Sequence, residues 1–329
     1  AGATCSTVGV GSSEPRREPG SHSGFSVATT NSTATATVTA CEKTSQALRH
    51  MAEVGVRSGS DRGKPLCRRS WPGFGTIARM ADRDDLDAAL KALLRPEAFR
   101  DYGPNGLQVE GRREVRRIVS GVTASLAFID AALAAGADAL FVHHGLFWRG
   151  QDGRLTGWLA ERVRRLMRAE VSLFAYHLPL DAHETLGNNA QFGARLGLAA
   201  DARFGEQDLG FAGAAPAAAA DADALAALAR AQLGREVLLL PGDGRVLKRV
   251  AWCTGGAQGF FEAAIAAGAD AFLTGELSEP QAHLARETGV AFLACGHHAT
   301  ERYGAPAVAA HVARELGLAH DFIEIPNPA

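Results

Sequence analysis

Histidine and carboxylate side chains cluster directly after three apolar segments of this 329-residue sequence. One segment ends in two adjacent histidines, and each of the other two is followed by a histidine and, four residues later, by a carboxylate. These side chains are His143, His144, His177, Asp181, His297 and Glu301. Imidazole nitrogens and carboxylate oxygens are the usual ligands of zinc, manganese and iron in proteins. The pattern predicts a metal site, whereas a single histidine of this kind would more often be a hydrogen-bonded structural residue.

The two adjacent histidines constrain how many ions such a site can hold. Successive residues of a strand point to opposite faces, so His143 and His144 cannot both bind one ion while the strand stays regular. At a strand end, each of them can serve a different ion. Two neighbouring ions need a carboxylate between them, and Asp181 and Glu301 are the two candidates for that position.

The local sequence predicts different backbones for the two histidine–carboxylate pairs. Pro179 disfavours helical geometry at the residue before it, so the first pair, His177 and Asp181, is predicted to meet in a loop. No proline interrupts the second pair. His297 and Glu301 are therefore expected to share one face of a helix.

The elements that position these residues form an internal repeat. Residues 128–144 and 260–276 read alike at an offset of 132, each as a helix, a turn with the sequence Gly-Ala-Asp-Ala and a buried strand. Alanine-rich helices resemble one another by composition alone, but landmarks shared in the same order favour a true repeat. Each copy reads as three strands alternating with three helices, about residues 117–198 and 249–318. This alternation indicates an α/β fold with two sheets.

The two copies differ in length, and the segment between them differs in composition from both. Both copies end in Leu-Gly-Leu at an offset of 120 instead of 132, which predicts an insertion in the first copy near residues 148–156. The alanine-rich residues 212–220 are expected to be a linker. Residues 222–233 are expected to form one connecting helix.

Composition changes sharply near Met80. Residues 1–79 carry ten Lys and Arg against five Asp and Glu, and they lack the apolar periodicity of a core. We expect them to be a disordered extension or upstream sequence translated in error, with Met80 as the natural start. An organellar transit segment is the alternative, although scattered acidic residues argue against it. Residues 80–329, which begin with an amphipathic helix, are expected to form the metal-binding domain.

Overall composition argues against several classes of protein. A net charge of −2 disfavours a nucleic-acid binder or a membrane-surface protein. No apolar run approaches the ~18 residues of a membrane span. The five cysteines form no CxxC pair, which excludes a disulfide scaffold or thiolate zinc site and favours a reducing, cytoplasmic setting. Cys253 and Cys295 lie in apolar segments and are expected to be inert core residues.

One glycine-rich segment carries a weaker signal. Residues 254–259 (TGGAQG) lie between a predicted strand and a predicted helix, where backbone N–H groups can bind an anion. A tight turn explains the same composition. Neither a Walker-type motif nor GxGxxG accompanies it, so both interpretations stay open.

Several motifs occur in a fixed order over about residues 84–320. They are PNGLQV (104–109), VHHGLFW (142–148), HLPLD (177–181) with Asn188-Asn189, TGE (274–276) and GHHATE (296–301). In these motifs the chain resembles the Nif-three-like dinuclear metal-centre family, whose members are often named GTP cyclohydrolase I type 2 homologues. The resemblance implies an intertwined, duplicated α/β fold and a toroidal homohexamer whose metal sites face the inner cavity.

The resemblance also implies a ligand set and a function. It implies two divalent ions per chain, with the carboxylates bridging and His177 as a neighbouring contributor; Zn, Fe, Mn and Mg are not distinguished. The implied activity is that of a metal-dependent hydrolase acting on a nucleotide or related heterocycle, and the alternative is a ring-shaped scaffold with structural metals. The roles of His298 and Glu276 stay open. The implied ligands are His143, His144, Asp181, His297 and Glu301.

Residues 1–79 are predicted to be dispensable. A chain that begins at Met80 should express, assemble and bind metal as the full chain does, because Asp82 or Asp84 can cap the first helix without upstream sequence. Size-exclusion chromatography and metal analysis of both chains test this. Loss of folding or of metal in the shortened chain would contradict it.

Overall fold

Two large mixed sheets organise the part of the protein that the structure describes. The computed structural model describes residues 80–329, so the expectation for residues 1–79 lies outside the described residues. The strands are β1 (Ala81–Asp82), β2 (Gly106–Val109), β3 (Glu114–Val115), β4 (Arg117–Thr123), β5 (Ala139–His144), β6 (Ser172–Ala175), β7 (Ala202–Phe204), β8 (Gly210–Ala214), β9 (Leu238–Leu240), β10 (Arg249–Trp252), β11 (Ala271–Thr274), β12 (Ala291–Ala294) and β13 (Ala319–Phe322). 

Helices connect these strands, and three short 3₁₀ turns at Pro96–Ala98, Glu206–Asp208 and Gln258–Phe260 accompany them. The helices are α1 (Arg83–Leu94), α2 (Leu126–Ala134), α3 (Gly157–Ala169), α4 (Leu178–Ala182), α5 (Asn188–Arg195), α6 (Ala222–Leu233), α7 (Phe261–Ala266), α8 (Glu279–Thr288), α9 (His297–Glu301) and α10 (Gly304–Leu316). In the described residues, no helix has the length and apolar character that crossing a membrane requires.

Each sheet is built around one parallel triplet of strands. The first sheet has the order β13–β4–β5–β6–β2, and the second has the order β7–β8–β10–β11–β12–β9. Strands β4, β5 and β6 are mutually parallel, as are β10, β11 and β12. Helices separate the strands of each triplet, as the repeat predicts. The predicted duplicated α/β fold with two sheets is therefore confirmed.

The shared Gly-Ala-Asp-Ala sequence has a structural role that is the same in both copies. Asp138 precedes β5, and its Oδ2 accepts hydrogen bonds from the backbone N–H groups of Arg116 and Arg117 at 2.9 and 3.1 Å. Asp270 precedes β11, and its Oδ2 accepts from those of Lys248 and Arg249 at 2.8 and 3.0 Å. Each aspartate thus joins the start of one strand to the start of its parallel neighbour.

The two halves are intertwined at the carboxyl-terminal end of the chain. Strand β13 follows the second triplet in sequence but pairs with β4 of the first sheet. Helix α10 also packs there, with Val308 and Val312 in one apolar cluster with Ile118 and Phe141. The first sheet is therefore completed only by residues from the far end of the chain.

Expectations for the connections were met in part. The connection between β5 and α3 spans residues 145–156, whereas β11 and α8 are joined by residues 275–278, so the longer loop lies where the insertion was predicted. Helix α6 has the predicted bounds. The linker expected over residues 212–220 was wrong at its start, because residues 210–214 form β8 and pair with β7 and β10. Backbone pairing on both sides makes a strand of this Gly- and Ala-rich segment despite its low strand propensity.

Helix α1 illustrates how the amphipathic pattern translates into packing. Leu86, Leu90 and Leu94 are each at most 3% exposed, and they face the apolar cluster beneath the first sheet. The side chain of Asp82 accepts a hydrogen bond from the backbone N–H of Asp84 at 2.8 Å and caps the helix. The predicted helix and one of its two predicted caps are confirmed.

Removing either strand-start aspartate should destabilise the fold. Asp138→Ala and Asp270→Ala should each lower the free energy of unfolding by about 1.5–3 kcal/mol, because two backbone donors lose a charged acceptor. Asp138→Asn keeps an acceptor oxygen and should recover much of the loss. As a control, Asp130→Ala removes a surface partner of Arg165 and should cost at most about 1 kcal/mol. Urea denaturation measures all four; equal stability of the alanine variants and the parent would contradict the role.

Candidate metal centre

The predicted site residues converge at the carboxyl ends of the two parallel triplets. His143 and His144 end β5, Asp181 lies on α4 after β6, and α9 after β12 carries His297 and Glu301. One half of the protein thus supplies the adjacent histidines and Asp181, and the other half supplies the remaining pair. The structure brings all five predicted ligands together.

Glu301 lies at the centre of the cluster. Its Oε1 is 3.4 Å from His143 Nε2, and its Oε2 is 3.2 Å from His144 Nε2. His297 Nε2 lies 3.1 Å from the same Oε2. The carboxylate is 2% exposed, and its two oxygens face different histidines. This is the arrangement that a carboxylate bridging two ions requires.

Asp181 occupies a less central position. Its Oδ1 lies 3.4 Å from His143 Nε2 and accepts a hydrogen bond from Asn188 Nδ2 at 2.9 Å. In residues 80–329, potential ligand atoms within 4.8 Å of one another form three groups. Asp181 belongs to one of these groups, whereas Glu301 belongs to two. The contacts favour Glu301 for bridging, and bridging by Asp181 stays a prediction. The groups are His143–Asp181–Glu301, His144–His297–Glu301 and His143–His144–His177.

The cluster fits metal ions better than it fits hydrogen bonding. Among the described residues, His143 Nε2 and Glu301 Oε2 are buried polar atoms without a hydrogen-bond partner, although nitrogen and oxygen atoms lie nearby. Buried polar atoms rarely stay unpaired. Ligand atoms about 2 Å from one tetrahedral ion lie about 3.3 Å from one another. The observed spacings of 3.1–3.4 Å suit such an ion.

Each histidine of the cluster is anchored through Nδ1, so Nε2 is the nitrogen directed to its neighbours. His143 Nδ1 bonds to a backbone carbonyl and His144 Nδ1 to a hydroxyl, whereas His177 and His297 bond to carboxylates. Such partners orient metal-binding histidines and raise their basicity. The bonds are His143–Tyr176 O at 3.1 Å, His144–Thr123 Oγ1 at 3.1 Å, His177–Asp101 Oδ1 at 2.7 Å and His297–Glu276 Oε1 at 2.6 Å.

The structure shows the contacts of two residues whose roles the sequence left open. Glu276, at the repeat position of His144, orients His297 and is held in turn by Gln258 Nε2 at 3.3 Å. His298, next to a predicted ligand, turns away from the centre, and its Nε2 bonds to Glu324 at 2.8 Å. The TGE motif was the available signal for Glu276.

Sequence reasoning missed Asp101. Its side chain is 3% exposed, and besides His177 it accepts hydrogen bonds from Asn105 Nδ2 at 2.8 Å and from the backbone N–H of Leu178 at 2.9 Å. Burial opposes its ionisation, but the hydrogen bond and charge of His177 outweigh burial and hold the pKa of Asp101 below its usual value. No spacing rule connects Asp101 to His177, since 76 residues separate them.

Burial and the neighbouring carboxylates shift the pKa values of the histidines in opposite directions. For His143, burial lowers the pKa, but Asp181 and Glu301 outweigh it and raise the value to about 9. For His144, burial prevails and the pKa falls to about 4. The pKa of His297 rises to about 9, chiefly through its contact with Glu301. In the ion-free protein, protons therefore neutralise part of the buried negative charge, and a bound ion would replace them.

The expected loop at His177 and Asp181 was wrong. Residues Leu178–Ala182 form α4, and the backbone N–H of Asp181 donates to the carbonyl of His177 at 3.2 Å. Pro179 lies in the first turn, where a backbone N–H has no partner within the helix, so its missing donor costs nothing. The expected helix at the second pair is confirmed as α9.

The asparagine pair that follows the HLPLD motif, Asn188-Asn189, joins the two halves beside the centre. Asn188 donates to Asp181, and its Oδ1 accepts from the backbone N–H of Gly304 at 2.8 Å. Asn189 Oδ1 accepts from the backbone N–H of Thr254 at 2.7 Å. Each asparagine therefore joins the first half to the second. These contacts fix the distance between the ligands that the two halves contribute.

The glycine-rich residues 254–259 form a turn packed against the site. Gly255 has φ +73°, and a Cβ at this position would overlap the carboxylate of Glu301. Its backbone N–H donates to Thr300 Oγ1 at 3.0 Å, and that of Thr254 donates to Asn189. Close approach to Glu301 therefore explains a glycine here without a bound anion.

A cavity of about 240 Å³ opens beside the cluster. His177, Asp181, His297 and Glu301 form its metal side, and Tyr102 and Phe260 are among its other walls. Cys253 also lines it. Burial raises the pKa of the Cys253 thiol, which keeps it protonated and fits the expected inert cysteine; Cys295 is likewise buried.

The fold and the cluster together define a duplicated α/β protein with a candidate metal centre between its halves. The family model of Duf34/NIF3 (NGG1p interacting factor 3) matches residues 81–328, and the chain belongs to this family. The resemblance stated from the sequence motifs is confirmed.

Relatives and solved structures agree with this assignment. A "GTP cyclohydrolase 1 type 2 homolog" from Neisseria meningitidis serogroup B is 51% identical over 236 residues, covering 72% of this chain and 94% of the relative. A protein of the same name from Pseudomonas aeruginosa is 48% identical over 259 residues, covering 78% and 98%. A solved structure of protein ybgI, described as of unknown function, superposes with a TM-score of 0.72 at 44% identity and covers 75% of this chain and 100% of its own.

The number of bound ions should depend on which ligand is removed. The purified protein should carry up to two divalent ions per chain. Glu301→Ala removes a ligand from two groups and should leave one ion or none. His143→Ala and His144→Ala each remove a ligand from a different one of the two groups that contain Glu301, and each should leave one ion. His177→Ala should keep both.

Elemental analysis with circular dichroism as a folding check decides among these outcomes. Asp181→Ala should lose the ion of the His143 group, and loss of both ions would assign it a bridging role as well. Unchanged metal in the Glu301→Ala variant would refute the proposed centre.

Proposed function

We propose that the protein binds two divalent ions at this cluster and acts as a metal-dependent hydrolase on a nucleotide or related heterocycle. The observation that carries the proposal is the position of the buried Glu301 carboxylate, with one oxygen facing His143 and the other facing His144 and His297. A carboxylate placed in this way can compensate the charge of two neighbouring cations.

The described ligand atoms divide between the two ions. His143, Asp181 and Glu301 would hold one ion, and His144, His297 and Glu301 would hold the other. Each ion thus receives three protein ligands. Structural zinc is usually closed by four protein ligands, whereas catalytic zinc keeps three and an open position. The count supports an enzyme over a scaffold with structural metals.

Bound divalent ions act as Lewis acids and lower the pKa of a coordinated water from 15.7 to about 7. The chain's own residues would supply orientation and proton transfer. Asp101 holds His177 through Nδ1, and the ring lines the cavity next to the metal ligands. His177 Nε2 is therefore the group available to take or give a proton at a substrate in the cavity.

The residues that line the cavity suit a flat, partly apolar substrate. Tyr102 and Phe260 provide aromatic surface, and Thr254 provides a polar group beside the metal ligands. Aromatic faces stack on heterocyclic rings. The name "GTP cyclohydrolase 1 type 2 homolog" carried by the relatives supports a nucleotide.

We extend the proposal to assembly and location on the basis of the family resemblance. The chain would form a toroidal homohexamer in the cytoplasm.

A panel of nucleotides and related heterocycles tests the activity. The protein loaded with Zn²⁺, Mn²⁺ or Fe²⁺ should turn over at least one compound, lose this activity on chelation and regain it when the ion is restored. His177→Ala should lower kcat by about 10²–10⁴-fold while both ions stay bound, because proton transfer is lost and the ligand set is intact. Asp130→Ala, at the surface of α2, serves as the control. Two bound ions without turnover of any compound, and collapse of the ring on chelation, would favour the scaffold.

A further inference from the structure

The last residues of the chain run from one half of the protein to the other beside the candidate metal centre. After β13, the backbone N–H of Ile323 donates to the carbonyl of Ser120 at 2.9 Å. Ile323 and Ile325 pack against the apolar cluster that includes Phe128 of α2. Residues 323–325 are thus anchored to the first sheet. We call residues 323–329 the strap.

The far end of the strap contacts the second half. Arg235, which follows α6, donates from Nη2 to the carbonyl of Pro328 and from Nη1 to that of Ala329, both at 2.9 Å. The backbone N–H of His298 donates to the carbonyl of Ala329 at 3.2 Å. Glu324 accepts from His298 Nε2 at 2.8 Å. The strap therefore holds α9, the helix that carries His297 and Glu301.

Arg235 also contacts the chain directly before α9. Gly296 has φ +95°, and a Cβ added there would overlap the Arg235 guanidinium. The guanidinium thus lies between the strap and the residue that precedes His297. A helix as short as α9 has little stability of its own, because helix nucleation is unfavourable. Its position must come from contacts of this kind.

We infer that Arg235 and the strap position His297 and Glu301 for metal binding. Arg235 is a positioning residue, since it reaches the centre only through Gly296, His298 and the strap. The inference rests on the proposed function, because it presupposes that α9 supplies ligands. Glu276 orients the His297 ring through Nδ1, whereas Arg235 and the strap place the backbone that bears the ring. Ligands of a metal site must be held within about 0.5 Å of the productive geometry.

Competition between the protein and a chelator for Zn²⁺ tests the inference. The parent should bind two ions. Arg235→Ala should bind the ion held by His144 and His297 about 10–100-fold more weakly, as for other partners that orient ligands. The other ion should weaken by a clearly smaller factor, because α9 supplies only Glu301 to its group. Arg235→Lys keeps the charge and one donor and should recover part of the loss.

A matched control separates positioning from general stability. Arg245 also donates to a backbone carbonyl, that of Thr288 at 3.1 Å, but it does not touch the strap. Arg245→Ala should therefore bind both ions as the parent does. Thermal unfolding of each ion-free variant is measured alongside, because a merely structural role would change stability without weakening one ion more than the other.

The possible outcomes distinguish a failure of the inference about the strap from a failure of the proposed function. Parental affinities for both ions in Arg235→Ala, or equal weakening of both, would overturn the positioning role alone. A parent that binds no Zn²⁺ overturns the proposed function and the inference about the strap together.

A second variant is used where Arg235→Ala does not fold. Glu324→Gln removes the charge facing His298 and keeps the Arg235 contacts. It should weaken the same ion by a smaller factor, and parental binding in that variant would overturn the inference.

Discussion

The buried charge of Glu301 is the constraint on which the arrangement of the site depends. A carboxylate that is 2% exposed cannot rely on water, and an uncompensated charge inside a protein costs several kcal/mol. Burial alone would raise its pKa, but His143 and His144 hold the pKa of Glu301 well below its usual value. The carboxylate therefore stays ionised and needs cations around it. Protons on the neighbouring histidines meet this need in part, and divalent ions would meet it more completely.

The fold meets this constraint by dividing the ligands between its two halves. His143, His144 and Asp181 come from the first half, while His297 and Glu301 come from the second. Each of the two groups that contain Glu301 therefore needs side chains from both halves. The asparagine pair and residues 323–329 both join the two halves. Correct packing of the two sheets is thus a condition for a metal site, and a bound ion would in turn stabilise that packing.

Much of this could be predicted from the sequence, because the signals are local. The helix–turn–strand repeat and the histidines after apolar segments are short patterns. They indicated the α/β fold and six side chains that converge, and the family resemblance implied which five of these are ligands. Contacts between distant segments could not be predicted in this way. Asp101 holds His177 across 76 residues, and β8 forms from a Gly- and Ala-rich stretch only because β7 and β10 pair with it. The loop expected at Pro179 failed because a general proline rule took no account of the first helical turn.

The two halves use equivalent positions for different tasks, which explains why the centre is asymmetric. His177 and Asp181 of the first half correspond to His297 and Glu301 of the second. His144 corresponds to Glu276, so the same strand end offers a ligand in one half and, in the other, the group that orients His297. Because Glu301 lies near both groups of histidines, both three-ligand groups are complete without a histidine at the strand end of the second half. His177, anchored by Asp101, is then not required to complete either three-ligand group. A histidine that is held in place beside the cavity and does not bind an ion is suited to proton transfer.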